Sequence, residues 1–217
     1  STPIKSSAAS DVYKRQAGYR AGEIQLESLK LLPGTEMRHR ADELGIRYSP
    51  LPPYEVLQTG EISVGELQTA RRLSRLLDAF YNTPAWQELT RELILNDRRF
   101  LYRFLAYLTE ANLIDQPMSL ERRGLVLYEY CKQYYPDYRT QASIAWIEAG
   151  MSLKKLPAEH VKTKRQIPPE HWEVIYGNYK PELRLCFLPV STDTEHGYWF
   201  GFESEIQKIA PVFKART

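Results

Sequence analysis

Glu23-Ile-Gln-Leu-Glu-Ser-Leu-Lys-Leu-Leu-Pro-Gly-Thr35 is the stretch that decides the fold expected for this chain of 217 residues. Apolar residues are nearly continuous over Ile24–Leu32, which is typical of a buried strand covered on both faces. Pro33-Gly34 ends that strand, Thr35 can cap a following helix, and Gly45 lies where a left-handed C-terminal cap is expected. The sequence therefore predicts a strand, a turn and a short helix, which form half of a β/α unit.

The next part of the chain predicts an ordered loop and a long helix. Ile46–Ile62 is rich in proline, which fixes φ and biases the preceding residue toward extended conformations. Ser63-Val-Gly-Glu66 then has the Ser-x-x-Glu spacing of a capping box. Apolar residues follow at steps of three and four, which predicts one amphipathic helix over Ser63–Tyr81. Its apolar face consists of Leu67, Ala70, Leu73, Leu77 and Phe80, and we expect Leu67, Leu73 and Leu77 to be buried together.

Four more helices are predicted in the middle of the chain. Thr83-Pro84 starts the first, because proline is favoured in the first helical turn. Another follows directly, a third runs from Ser119 until Pro136 stops it, and Asp137 starts a fourth that ends at Gly150. The residues predicted to form their apolar faces are Trp86, Leu89, Leu93 and Ile94; Phe100, Phe104, Tyr107 and Leu108; Leu120, Leu127, Cys131 and Tyr134; and Ile144 and Trp146.

The C-terminal part of the chain is predicted to contain the β structure. Leu183–Val190 and Tyr198–Phe202 are rich in residues that favour strands, and the segment Ser191–Gly197 between them is dense in turn residues, so they predict a hairpin. Pro169–Tyr176 predicts a helical turn, and Ile206–Phe213 is compatible with a helix or a third strand. The fold class expected is mainly α with a minor β part, an α+β arrangement.

Composition excludes several classes of protein. Hydrophobic residues make up 43% of the chain and aromatics 12%, which is ample for a buried core. A net charge of +2 argues against binding to nucleic acid or an anionic membrane. No apolar run approaches the roughly 18 residues that a membrane span needs. Only Cys131 and Cys186 are cysteines; we interpret them as core residues and expect a reducing, cytoplasmic location.

The sequence shows few other residues arranged for metal binding or phosphate binding. His39, His160, His171 and His196 have no spacing that metals use, so they are interpreted as surface or capping residues. Pro33-Gly34-Thr35 lacks the lysine that a phosphate-binding loop places beside its nucleotide. The sequence by itself therefore predicts no metal site and no phosphate loop.

A family resemblance covers roughly Glu23–Phe80. The leucine-rich segment, the Pro33-Gly34-Thr35 turn, a short helix and then Tyr48-Ser-Pro-Leu-Pro-Pro-Tyr-Glu-Val-Leu57 resemble the closing strand and loop of a radical S-adenosylmethionine barrel, most closely in the cobalamin-dependent branch. Glu27 and Ser28 depart from that pattern, because a glycine and an apolar residue are more usual there.

The resemblance implies cofactors for a parent enzyme: S-adenosylmethionine, a [4Fe–4S] cluster and cobalamin. The family holds its cluster on Cys-x₃-Cys-x₂-Cys, and this chain has only two cysteines, far apart. It is therefore expected to have no activity by itself, and its substrate stays unknown. The family's last strand borders the adenosyl group, so the cofactor-binding residues implied here are Gln25, Leu29, Pro33, Gly34 and Thr35.

The resemblance also divides the chain. Residues 1–16 resemble a translated sequencing-adapter remnant or a disordered tail, 17–62 the end of the barrel, 63–115 a helical connector, and 116–217 an uncharacterised extension. The partner implied is the N-terminal part of the same parent chain. The alternative is a non-enzymatic helical interaction module. Such a module would bind RNA through the lysine-rich residues 154–165 beside Trp146 and Trp172.

Overall fold

The computed structural model describes residues 14–158, 161–163, 171, 183–190, 193–203 and 211–217. The chain divides into two compact units, Ser1–Gln116 and Pro117–Thr217. Helices predominate, and the described strands form two small antiparallel sheets. This confirms the predicted fold class, mainly α with a minor β part.

The first unit is helical apart from a minimal two-stranded sheet. After a helical turn at residues 14–18, its elements are α1 Glu36–His39, β1 Arg47–Tyr48, β2 Val56–Gln58, α2 Val64–Leu76, a π-helical turn Leu77–Tyr81 that continues α2, α3 Pro84–Asn96 and α4 Phe100–Glu110. The strands β1 and β2 fall within the range that the sequence predicted to be a loop.

The predicted capping box begins α2. The Ser63 hydroxyl accepts a hydrogen bond from the Glu66 amide, and the Glu66 carboxylate accepts one from the Ser63 amide. Leu73, Leu77 and Phe80 are buried, which confirms the core of the predicted face. Leu67 is only partly buried, against the small cluster of Leu31, Ala41 and Val56, and Ala70 is exposed.

Aromatic packing closes the core of the first unit. The rings of Phe80 and Phe104 meet edge to face with centroids 4.9 Å apart, and Phe100 stacks on Phe104 at 5.6 Å. Trp86 and Leu93 of α3 are fully buried as predicted. Edge-to-face aromatic pairs stabilise beyond the area they bury, so the core of this unit lies where α2, its π-helical turn, α3 and α4 pack.

The second unit begins with two helices. They are α5 Leu120–Tyr134 and, after a 3₁₀ turn at Pro136–Tyr138, α6 Arg139–Glu148; a further 3₁₀ turn covers Leu153–Lys155. The Ser119 hydroxyl accepts from the Arg122 amide, so the predicted start of α5 is confirmed. Leu120 and Tyr134 were predicted on its apolar face, but they are 36% and 52% exposed. They lie in the first and last turns of the helix.

A four-stranded antiparallel sheet completes the second unit. Its strands are β3 Val161–Thr163, β4 Arg184–Val190, β5 Asp193–Phe202 and β6 Phe213–Arg216, hydrogen-bonded in chain order. The predicted hairpin is confirmed, although β5 begins at Asp193 and so includes most of the predicted loop. Most of the range Ile206–Phe213 lies outside the described residues, and β6 begins at its last residue, Phe213. The predicted turn at Pro169–Tyr176 lies outside the described residues except for His171.

The prediction of a strand at Ile24–Leu32 is wrong. Within this segment only Lys30 is paired, in a single antiparallel bridge with Glu55. Ile24 and Leu31 are buried, while Leu29 and Leu32 are about half exposed. A strand requires a partner strand along its length, and none of the described residues supplies one beyond that bridge.

Candidate functional site

The Pro33-Gly34-Thr35 turn has the backbone geometry that its sequence requires. Gly34 has φ +81°, a left-handed conformation that favours glycine. The Thr35 hydroxyl donates a 2.8 Å hydrogen bond to the Leu32 carbonyl and makes no cap to α1. Thr35 thus stands at the N-cap position, but the prediction that its side chain caps the helix is wrong, since no amide of the first turn donates to that hydroxyl. Gly45 is left-handed as predicted, with φ +62°.

All five residues implied as cofactor contacts lie at the surface. Gln25, Leu29, Pro33, Gly34 and Thr35 are exposed. The Gln25 amide, expected within a buried run, instead donates to the Glu23 carboxylate at 2.8 Å. Pro33, Gly34 and Thr35 lie together in one turn. Among the described residues, no hydrogen bond links Gln25 or Leu29 to that turn. Their role in binding a cofactor stays a prediction.

The π-helical turn Leu77–Tyr81 anchors the beginning of the leucine-rich segment Glu23–Thr35. The Asn82 side chain accepts from the Ile24 amide and donates to the Ile24 carbonyl, both at 2.9 Å, so it pairs with this residue as a neighbouring strand would. The Tyr81 hydroxyl donates to the Ala21 carbonyl at 2.8 Å. Sequence reasoning missed both side chains, because the wider π-helical turn that places them has no sequence signature here.

The end of the segment is held by β2 and by an arginine of α2. The Leu31 amide donates to the Tyr54 carbonyl and the Val56 amide to the Leu29 carbonyl, each at 2.9 Å. Arg71 donates to the Glu55 carboxylate at 2.7 Å and to the Ser28 hydroxyl at 3.2 Å. Lys30 and Glu55 thus form a non-hydrogen-bonded antiparallel pair. In such a pair, the N–H and C=O of each of the two opposite residues point away from the other chain segment. The N–H and C=O of Lys30 therefore face away from β2, and they bond to no described residue.

Arg38 connects α1, the loop and the segment. Its guanidinium carbon lies 4.9 Å from the ring centroids of both Tyr48 and Tyr54, which are distances for cation–π contact. Its Nη1 donates to the Leu31 carbonyl at 3.0 Å. This arginine therefore holds Leu31, two residues before the turn, against the loop. Nothing in the sequence singled out Arg38, because its two aromatic partners follow later in the chain and meet it only in the fold.

Large apolar side chains are exposed around this segment. Six residues are between 42% and 70% exposed, namely Leu29, Leu32, Met37, Leu44, Leu51 and Leu57. Single exposed apolar residues are ordinary, but several on one short range of chain are typical of a surface that is covered by something else. The segment thus combines unpaired backbone with exposed leucines.

The thiols and imidazoles offer no metal site among the described residues. Cys131 and Cys186 are buried and form no disulfide, as expected of core residues. Burial raises the pKa of the Cys131 thiol to about 12, so it stays protonated and is a poor nucleophile or ligand. His39 and His196 are exposed as predicted, and His160 lies outside the described residues. His171 is buried. Its Nδ1 accepts from the Trp199 indole at 3.1 Å, so the surface interpretation of His171 is wrong.

Comparison with known proteins identifies a family of undefined activity. A family model described as a protein of unknown function (DUF4080) matches residues 42–154, slightly more than half of the chain. The chain belongs to this family. The match begins after the Pro33-Gly34-Thr35 turn and extends into the second unit. No curated protein and no solved structure matches. Among the described helices, none has the length and apolar character of a membrane span.

Proposed function

We propose that this chain is the C-terminal part of a cobalamin-dependent radical S-adenosylmethionine enzyme. Its residues 17–62 would complete the barrel, 63–115 would form a connector, and 116–217 an extension. Two findings support the proposal: membership of the DUF4080 family, which is found in B12-binding radical S-adenosylmethionine proteins, and the incomplete surface of the segment Glu23–Thr35. Cytoplasmic location belongs to the same proposal.

The observation that carries the proposal is the free backbone edge at Lys30. Its N–H and C=O face away from β2 beside the half-exposed Leu29 and Leu32. An unpaired edge flanked by apolar side chains is what a sheet leaves when a neighbouring strand belongs to another part of the protein. The rest of the barrel would supply that strand.

The residues of this chain fit the proposed cofactors unequally. The exposed turn of Pro33, Gly34 and Thr35 can offer backbone groups and apolar surface, so with Gln25 and Leu29 it would border the adenosyl group of S-adenosylmethionine. Cys131 and Cys186 do not fit a [4Fe–4S] cluster, because they lie buried on a helix and a strand and a third thiolate is missing from the sequence. The cluster would belong to the upstream part of the parent, and no residue of this chain is assigned to cobalamin.

The upstream reading frame tests the proposal directly. We expect it to encode Cys-x₃-Cys-x₂-Cys, and we expect the extended protein, reconstituted with iron and sulfide, to show the electron paramagnetic resonance of a reduced [4Fe–4S] cluster. The extended protein should cleave S-adenosylmethionine reductively, while a matched variant with those three cysteines changed to alanine should not. An upstream frame without that motif would refute the assignment.

The alternative, an RNA-binding helical module, has less support from the described residues. Trp146 is buried, and its indole donates to the Ser152 carbonyl, so it has no face free for a base to stack on. Lys155 is paired with the Glu121 carboxylate at 2.7 Å. Trp172 and the basic residues Lys164 and Arg165 lie outside the described residues. No observation favours this function over the first.

A further inference from the structure

One residue, Arg38, fastens the Pro33-Gly34-Thr35 turn at both ends. After the turn, the Arg38 amide donates to the Thr35 carbonyl at 3.1 Å. Before the turn, its Nη1 donates to the Leu31 carbonyl at 3.0 Å. Between these two bonds, the amide and the hydroxyl of Thr35 both donate to the Leu32 carbonyl, at 3.3 and 2.8 Å. The turn is therefore closed on itself and tied at each end to the same arginine.

The guanidinium of Arg38 is in turn held by two tyrosine rings. Its carbon lies 4.9 Å from the ring centroids of Tyr48 and Tyr54. Tyr54 has φ +60°, a left-handed conformation that is unfavourable for a large side chain. Such a conformation persists only where the surrounding structure holds it. The Tyr54 carbonyl accepts from the Leu31 amide at 2.9 Å, so Tyr54 contacts the segment through its backbone and Arg38 through its ring.

The short helix α1 has no buried residue of its own to fix the turn. It consists of four residues, Glu36–His39, and none of them is buried. A helix of this length is not stable without tertiary contacts. Within α1, Arg38 is the residue whose side chain makes described contacts to both the segment and the loop. The position of the turn against the loop therefore depends on this side chain.

We propose that Arg38 is a positioning residue for S-adenosylmethionine, which sets the geometry of the turn without touching the ligand. The inference rests on the proposed function, in which the exposed turn borders the adenosyl group. A guanidinium can stack on aromatic rings and donate to a carbonyl at the same time, whereas a lysine ammonium is a compact and strongly hydrated charge. Arg38→Lys therefore keeps the charge but loosens the turn.

Nuclear magnetic resonance and hydrogen exchange on this chain test the positioning without any cofactor. Arg38→Lys should shift the amide resonances of Gly34 and Thr35 and speed exchange at the Thr35 amide. Arg40→Lys is the matched control, because Arg40 pairs at the surface with the exposed carboxylates of Glu43 and Glu36. It should leave those resonances in place. Equal spectra for the two variants at Gly34 and Thr35 would overturn the proposal.

Kinetics of the extended protein, which includes the upstream reading frame, test the consequence for the ligand. Arg38→Lys should raise the KM for S-adenosylmethionine by up to about 100-fold. The kcat and the cluster content should stay nearly unchanged, because the loss is one of binding, and Arg40→Lys should change neither constant. An active extended protein with an unchanged KM in Arg38→Lys would overturn this inference alone. An unsubstituted extended protein that does not cleave S-adenosylmethionine would overturn the proposed function as well.

Variants of Tyr54 decide the question if Arg38→Lys does not fold. Tyr54→Leu removes one ring from the guanidinium, while Tyr54→Phe keeps it. We expect Tyr54→Leu to shift the Thr35 amide and to raise the KM as Arg38→Lys does, and Tyr54→Phe to behave like the unsubstituted protein. A folded Tyr54→Leu with the Thr35 resonance and the KM both unchanged would overturn the proposal.

Discussion

At the scale of single residues, Asn82 fixes the beginning of the segment Glu23–Thr35. Asn82→Ala removes both hydrogen bonds to the Ile24 backbone and leaves two partly buried groups unpaired. We expect the free energy of unfolding to fall by about 1–3 kcal/mol, measured by denaturant unfolding. Asn96→Ala, at the exposed end of α3, is the matched control and should change it by less than about 0.5 kcal/mol. Equal effects of the two substitutions would contradict this role.

Gly197 is required by packing inside a strand. A Cβ atom there would clash with the Leu188 carbonyl oxygen and lie 2.6 Å from the Phe187 ring. Gly197→Ala should therefore destabilise the second unit by roughly 1–3 kcal/mol through overpacking, seen as a lower melting temperature. Gly65→Ala has nothing within 4 Å and should stabilise α2 by up to about 1 kcal/mol. The test fails if Gly197→Ala melts at the temperature of the unsubstituted chain.

The buried thiol of Cys131 predicts a pH dependence. Its pKa in the folded chain is about 12, above the ordinary value of 9.0. Because the raised pKa disfavours the thiolate in the folded state, its contribution to stability is fully present below pH 9 and is lost as the pH rises toward 12. Denaturant midpoints should therefore fall more steeply between pH 8 and 10.5 for the unsubstituted chain than for Cys131→Ala. Identical slopes would show that this thiol does not contribute.

At the scale of elements, a comparison of α2 with α1 tests how much a capping side chain contributes to the free energy of unfolding. Ser63 caps α2 through its hydroxyl, whereas Thr35 stands at the same position of α1 and makes no such bond. Ser63→Ala should cost about 1 kcal/mol of unfolding free energy, and Thr35→Ala should cost less. Circular dichroism during thermal unfolding measures both. A larger loss for Thr35→Ala would mean that its hydrogen bond to Leu32 matters more than the capping box.

At the scale of the whole molecule, the unpaired backbone and exposed leucines of the segment Glu23–Thr35 predict self-association. Unpaired backbone at Lys30 and exposed Leu29 and Leu32 should make the chain associate as its concentration rises, which light scattering after chromatography detects. Changing both leucines to serine should reduce association, whereas Val212→Ser, at an exposed residue of the second unit, should not. Hydrogen exchange should be fast at the Lys30 amide and slower at Leu31. A stable monomer with a protected Lys30 amide would contradict the barrel proposal.

The sequence by itself determined the helices and the caps of α2 and α5. Ser63 with Glu66, Ser119, and proline at the start of α3 act within one or two turns, so the residues that decide these elements are close in the chain. The apolar periodicity of α2, α3 and α4 identified buried residues such as Leu73, Leu93 and Phe104 for the same reason. The hairpin of β4 and β5 was also predictable, because its strands are neighbours in sequence.

Only the tertiary structure decided what the leucine-rich segment becomes. A strand depends on partners elsewhere in the chain, and the only described strand partner of this segment is Glu55, opposite Lys30. The stacking of Arg38 on Tyr48 and Tyr54, the pairing of Asn82 with Ile24, and the burial of His171 likewise join residues that no local pattern connects. Such contacts are set by how elements pack, and periodicity and capping report only on the elements themselves.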